Sequence, residues 1–180
     1  MTEESLFSRV VRIDHLPREG QAMTIEANPA EREELALFYR LPAVTALTAT
    51  LRVDPWGKGG ARVTGAVHGE LTQVCIVSIE PFPATVDEDV DVRFAPPTAA
   101  KSGSMATEET LTFSLADEDD PDPVIDGKID LGALTAEFFA LGLDPYPRKP
   151  GAVLDEERTN SEPIDSPFAG LAQRDKPGQE

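Results

Sequence analysis

The segment 126–151 carries the strongest structural signal in the chain and reads Asp126-Gly-Lys-Ile-Asp-Leu-Gly-Ala-Leu-Thr-Ala-Glu-Phe-Phe-Ala-Leu-Gly-Leu-Asp-Pro-Tyr-Pro-Arg-Lys-Pro-Gly151. Asp130 has the side chain of a helix N-cap. The apolar residues that follow it recur at three- and four-residue steps, which is the spacing of one helical face. We therefore predict a helix over 130–143 whose buried face consists of Leu131, Leu134, Phe138 and Leu141.

Two prolines, Pro145 and Pro147, follow this helix and hold the chain extended, because proline cannot continue a helix and restricts the residue before it. They present Tyr146, Arg148 and Lys149 in a loop of largely preset shape. This loop is either a partner-binding element or a plain surface loop whose tyrosine packs over the end of the helix.

The residues before this helix predict strands joined by turns, with one further helix. Asn28-Pro29-Ala30-Glu31 combines a capping side chain, a proline at the first helical position and a glutamate three residues after the cap, so a helix is predicted over 29–39 with Leu35, Phe38 and Tyr39 buried. The glycines of 54–60 predict the turn of a hairpin. β-Branched and alternating patterns predict strands at 6–16, 23–26, 44–54, 63–79 with a break near Gly69, 85–94 after the separating prolines Pro81 and Pro83, and 111–115.

These elements predict an α+β protein in which an antiparallel sheet, either open or barrel-like, packs against two main helices. The length of 180 residues fits one domain, placed at 1–150. The region near 97–110 offers little to bury and is predicted to be a mobile loop. The acidic segment 151–180 is predicted to be largely disordered, apart from a short docking-like patch at 166–171.

The net charge of the chain limits the kinds of partner that it can bind. Its 33 acidic and 16 basic residues give a net charge of −17. Nucleic acid binding draws its affinity from clustered Lys and Arg, so direct RNA or DNA binding is disfavoured as the main activity. An acidic surface favours a basic protein partner, although solubility alone also explains such a charge. The acidic N-terminus lacks the features of a secretory signal, and the single Cys75 cannot form an internal disulfide, so a cytoplasmic protein is expected.

Catalytic patterns are sparse, because the chain has two histidines and one cysteine, none in a recognised catalytic spacing. The carboxylates of 117–122 lack the glycine and terminal glutamate of a calcium loop. The glycines at 57, 59 and 60 lack the Lys-Ser/Thr of a phosphate loop. We therefore expect no enzyme, metal or cofactor; a metal-dependent hydrolase or nuclease using 117–122 is the less favoured alternative.

Two aromatic residues remain candidates for partner contact. Trp56, beside Lys58 at the predicted hairpin tip, could stack on RNA or fill a pocket on a partner. Phe168 lies in the patch at 166–171. Cys75, surrounded by Val74, Ile76 and Val77, is predicted to be a small apolar core residue on a strand, chemically inert.

The order of four motifs resembles that of the YceD family, the large ribosomal RNA subunit accumulation proteins. The motifs are Val63-Thr-Gly-Ala-Val67, Thr72-Gln-Val-Cys-Ile-Val-Ser-Ile-Glu-Pro81, Ile129-Asp-Leu131 with its helix, and Ser166-Pro-Phe-Ala-Gly-Leu171. The resemblance implies a cytoplasmic bacterial factor, without demonstrated enzymatic activity, whose gene lies beside that of a small basic protein of the large ribosomal subunit.

The resemblance and the charge together predict a ribosome-biogenesis factor that promotes accumulation of large-subunit ribosomal RNA by binding a basic ribosomal protein or a pre-ribosomal particle. RNA would then be contacted indirectly, and direct RNA binding is the alternative. Many family members carry Cys-x-x-Cys where this chain has Cys75-Ile-Val-Ser78, so a zinc role is not carried over.

Overall fold

The computed structural model describes residues 6–96 and 121–153. The loop predicted near 97–110, the strand at 111–115, the patch at 166–171 with Phe168, and residues 117–120 lie outside the described residues. In chain order the elements are β1 Val10–Arg12, a 3-10 turn Ile13–His15, β2 Gln21–Glu26, α1 Pro29–Phe38, β3 Ala43–Trp56, β4 Gly60–Val74, β5 Pro81–Ala95, β6 Asp122–Pro123, β7 Lys128–Asp130 and α2 Leu131–Leu141.

The main sheet has the strand order β2-β3-β4-β5-β6. Strands β2 to β5 pair antiparallel, and β6 runs parallel to the end of β5. Strands β1 and β7 form a separate antiparallel pair. The α+β prediction is confirmed, and the sheet is open, with β2 and β6 at its edges.

The β3–β4 hairpin has the predicted glycine turn. Gly57 and Gly59 have φ values of 58° and 75°, which side chains with a Cβ rarely adopt. Alternate residues of both strands point inward and are buried, and they form the centre of the core: Leu47, Ala49, Leu51, Val53, Val63, Val67 and Leu71.

Helix α1 begins at the predicted capping box, in which the Asn28 side chain accepts from Glu31 N and the Glu31 side chain accepts from Asn28 N. The buried face was predicted only in part. Leu35 and Ala36 are buried, whereas Phe38 is 66% exposed. Tyr39 is partly buried, and its hydroxyl donates to Ala136 O of α2 at 3.0 Å.

Helix α2 begins at the predicted N-cap, where Asp130 accepts hydrogen bonds from Gly132 N and Ala133 N. Its buried face includes Leu131 and Leu134, but Leu141 is 70% exposed and Phe139 is fully buried instead. The prediction was wrong here because α2 is apolar on nearly all sides, so the spacing did not single out one face. The ring of Phe139 packs on Gly69 of β4, which has no Cβ to occupy that space.

Strand boundaries differ from the predictions at several points. β1 is shorter than 6–16, and β4 continues through Gly69 and ends at Val74. Pro81 and Pro83 belong to β5 rather than preceding it. On its other side β5 pairs, among the described residues, with the two residues of β6, which lie at Phe94 and Ala95 and not at Pro81 or Pro83. Proline is tolerated where one edge of a strand has no hydrogen-bonded neighbour. His15 lies in the 3-10 turn rather than in a strand.

We predict that Gly69→Ala destabilises the protein by about 1–3 kcal/mol, the usual cost of overpacking. A Cβ at this position would lie 2.6 Å from Cε2 of Phe139. Urea unfolding measures the change, and adding Phe139→Leu to Gly69→Ala should recover part of the loss. Ala66→Ser, on the exposed side of the same strand, is the control. Equal stability of Gly69→Ala and this control would contradict the close packing of the Phe139 ring on Gly69.

Candidate functional site

The loop that follows α2 packs against the turn that follows β4. Ile76 N donates to Pro147 O at 2.9 Å, and Gln73 Nε2 donates to Asp144 O at 3.1 Å. The predicted candidates Tyr146, Arg148 and Lys149 therefore lie at this end of the sheet, next to the Cys75 turn. Sequence reasoning did not foresee that these two segments meet.

The three side chains of this loop have different surroundings. Tyr146 is 71% exposed, so its ring is open to solvent rather than packed over the end of α2. Lys149 Nζ lies 2.9 Å from Glu80 Oε2. This ion pair raises the pKa of Lys149 and lowers the pKa of Glu80. Arg148 is exposed and makes no ion pair within the described residues.

Cys75 is buried as predicted, but it lies one residue beyond the end of β4, in a turn rather than on the strand. Its Sγ accepts hydrogen bonds from Val77 N and Ser78 N, each at 3.4 Å. The turn closes through Ile79 N, which donates to Cys75 O at 2.9 Å. Ile79 has a φ of 60°, an uncommon conformation for a β-branched residue.

These contacts lower the pKa of the Cys75 thiol to about 6. The first cause is the Ser78 hydroxyl, followed by backbone N–H groups of Ser78, Lys149 and Val77 that stabilise the thiolate. The Ser78 oxygen is buried without a hydrogen bond among the described residues, so the contacts that the geometry shows at the sulfur are the backbone N–H groups of Val77 and Ser78. That Cys75 is inert stays a prediction; the structure adds that its fully buried sulfur accepts from two backbone N–H groups.

The described residues contain no group of three or more His, Cys, Asp or Glu side chains placed to hold a metal ion. Ser78 stands where a second thiol would complete a pair on the turn. Cys75 is thus one sulfur ligand that belongs to no group of three or more such side chains in the part of the chain that the structure describes.

Trp56 lies at the opposite end of β4 from Cys75 and Tyr146. It pairs with Gly60, the first residue of β4, and the Arg93 guanidinium carbon is 6.0 Å from its ring centroid. A strand of 15 residues is about 45 Å long at about 3.3 Å per residue. Trp56 and Tyr146 therefore cannot contact one small ligand together.

The outer face of the main sheet is a surface that the sequence reasoning missed. Alternate residues of β2 to β5 point away from the core, and no described element packs over them. In β5 the alternation Val86-Asp-Glu-Asp-Val-Asp91 was the signal that could have revealed it. The outward positions carry mostly threonine, alanine and charged side chains, with exposed carboxylates at Glu26, Glu70, Asp87, Asp89 and Asp91.

Some of these carboxylates have cationic partners within the face. Arg62 binds Asp91 through two hydrogen bonds of 2.7 and 2.6 Å, which lowers the pKa of Asp91. His68 Nδ1 lies 2.6 Å from Asp87 Oδ1. Glu26 and Asp89 have no ion pair within the described residues. The outward positions of β2 to β5 carry six carboxylates and three arginines, so the face keeps an excess of negative charge.

The sequence was compared with known protein families, and one family matches. The sequence profile described as large ribosomal RNA subunit accumulation protein YceD matches residues 63–173, more than half of the chain. The chain belongs to the YceD family. The resemblance noted in the sequence is thereby confirmed, and the family description implies a role in the accumulation of large-subunit ribosomal RNA.

The YceD match spans β4 and β5, the Cys75 turn, α2 and the loop with Tyr146. No curated protein and no solved structure matches the chain. Neither helix among the described residues is long and apolar enough to cross a membrane.

We predict that Cys75 titrates with a midpoint near pH 6 in this YceD family protein, because the turn stabilises the thiolate. Thiolate absorbance at 240 nm reports this group alone, since the chain has one cysteine. Ser78→Ala should raise the midpoint, whereas Thr50→Ala on the outer sheet face should not change it. A midpoint at the ordinary value of about 8.5 in the folded protein would contradict this geometry.

The same shift predicts a pH-dependent stability. The pKa of Cys75 is lower in the folded protein than in the unfolded chain. The thiolate's contribution to the free energy of unfolding is therefore fully present above about pH 8.5 and is lost as the pH falls through about 6. The difference in unfolding free energy between the native protein and Cys75→Ala should therefore grow from pH 6 to pH 9. Urea unfolding at several pH values measures this difference, and a constant difference would argue against the stabilised thiolate.

Proposed function

We propose that this YceD family protein is a non-enzymatic factor of the cytoplasm that promotes large-subunit ribosomal RNA accumulation by holding a basic ribosomal protein or an assembly intermediate. The observation that carries the proposal is the acidic face of the sheet, over which no described element packs, in a chain of net charge −17. Ribosomal RNA would then be contacted through the captured protein rather than directly.

The chemistry of the outer face supports electrostatic recognition. Its outward side chains are mostly threonine, alanine and charged groups, and its carboxylates attract and orient a cationic surface. Strand β2 is about 20 Å long and strands β3 to β5 are each about 45 Å long, so with a spacing of about 4.8 Å the face measures roughly 750 Å². This is close to the roughly 800 Å² that each partner contributes to a stable interface, so the face is large enough to hold one protein partner.

Direct RNA binding is less well supported. The cations of the loop after α2 are few, and Lys149 is already paired with Glu80. Salt titration with Arg148→Ala and Lys149→Ala separates the two mechanisms, because phosphate binding would weaken steeply with salt and depend on these residues. A metal-dependent hydrolase would depend on 117–122 and on added divalent metal, and a turnover assay with those carboxylates replaced tests it.

We predict that the double variant Glu70→Lys/Asp89→Lys binds a basic large-subunit protein about tenfold more weakly at low salt, which corresponds to about 1.4 kcal/mol. Reversing two charges on the outer face removes attraction and adds repulsion. Fluorescence anisotropy with the full chain measures the affinity at low and high salt, and the difference should shrink as salt screens the charges.

The matched control is Glu33→Lys/Glu34→Lys, which makes the same change of net charge on the exposed side of α1. Equal loss of affinity in both double variants would show that only net charge matters and would count against the face.

In cells, deletion of the gene should lower the ratio of large- to small-subunit RNA, and an unchanged ratio would count against the function itself.

A further inference from the structure

A second surface lies on the other side of the sheet, where β1, β7 and α2 meet the end of β5. It is an open groove with a volume of about 490 Å³. Phe94, Ile129 and Leu134 form its apolar floor, whereas Val10 and Ile125 line it while remaining 55% and 71% exposed. Exposed branched side chains beside an apolar floor are typical of a binding groove.

The rim of this groove is acidic. Asp122, Asp126 and Glu137 are exposed and make no ion pair within the described residues, and Lys128 is the single cation among the lining residues. Asp130 also borders the groove, but its oxygens accept from Ser8, Arg9, Gly132 and Ala133. Three carboxylates therefore remain to receive cations around an apolar floor.

The charge of the rest of the chain argues against an occupant from this same protein. Residues 97–120, whose flanking residues lie near the groove, contain six acidic residues and one lysine. Residues 154–180 contain seven acidic and three basic residues. Both segments would bring net negative charge to a negative rim, and a second copy of the chain would do the same.

We propose that the groove binds a segment of a basic protein in which one large apolar side chain is flanked by lysine or arginine. The apolar side chain lies between Val10 and Ile125, and the flanking cations pair with Asp122, Asp126 and Glu137. This deepens the proposed function, on which it rests for the basic character of the partner, and adds an apolar anchor to the electrostatic contact.

RNA fits this groove poorly because its phosphates would face the three carboxylates. The groove and the outer face lie on opposite sides of the sheet, so variants of one leave the other intact. The two surfaces can therefore be tested separately in the same protein.

The test uses the full chain and two fluorescent 12-residue peptides rich in lysine and arginine, one with a central phenylalanine and one with alanine in its place. The phenylalanine peptide should bind at least about fivefold more tightly. Ile125→Ser should remove this advantage, because it removes the exposed apolar wall, and Glu137→Lys should weaken both peptides. Leu37→Ser and Glu34→Lys on α1 are the matched controls, since they change an exposed leucine and an exposed carboxylate outside the groove.

Equal affinity for the two peptides, or equal effects of groove and control variants, would overturn the proposal. Displacement of the phenylalanine peptide by a synthetic peptide of residues 97–120 or 154–180 would also overturn it and assign the groove to this chain's own segment. Displacement by a ribosomal RNA fragment would assign it to RNA.

The same variants separate this proposal from the proposed function. If groove variants lose the peptide preference while gene deletion leaves the RNA ratio unchanged, the groove stands and the function fails. In the opposite case, gene deletion lowers the ratio of large- to small-subunit RNA, and a gene carrying Ile125→Ser restores that ratio fully. If the native protein also shows no preference for the phenylalanine peptide, the function stands and the groove fails.

Discussion

The Asp130 carboxylate holds together parts of the chain that are far apart in sequence. It accepts from Ser8 Oγ at 2.6 Å and from Arg9 N at 2.7 Å, and it caps α2 through Gly132 N and Ala133 N. One side chain thus joins the N-terminal segment to the first turn of α2. The close approach at Gly132, where a Cβ would lie 2.5 Å from Phe7 O, shows how tightly this junction is packed. With its start held here, α2 lies across the sheet so that Phe139 reaches Gly69.

The position of α2 organises the surfaces described above. The groove forms beside its N-terminal half, and the loop after its C-terminus reaches the Cys75 turn. Since α2 covers the inner face of the sheet, the outer face remains uncovered by the described residues. In the proposed function the carboxylates of the outer face would supply long-range attraction, and in the further inference the groove on the opposite side of the sheet would supply apolar area.

Local signals in the sequence predicted local structure well. The capping box at Asn28, the N-cap at Asp130 and the glycines of the β3–β4 turn act within a few residues, so their effects are visible without the fold. Of the candidate site residues, Tyr146 and Lys149 were placed in a loop after α2, where they lie. The buried face of α2 was predicted less well because the helix is apolar on most sides, and Phe139 was preferred over Leu141 only by the space above Gly69. The burial of Cys75 was predicted, but the hydrogen bonds to its sulfur were not, since they depend on the conformation of the turn 75–79.

The sequence by itself determined the α+β class, the two helix starts, the hairpin and the acidic character, because capping, turn formation and charge depend on residue type and short spacing. The tertiary structure alone decided which helix face is buried, that Pro147 meets Ile76, that Trp56 and Tyr146 lie at opposite ends, and that an apolar groove has an acidic rim. Each of these depends on how elements pack across long sequence separations, and packing selects among faces that local propensity leaves equivalent.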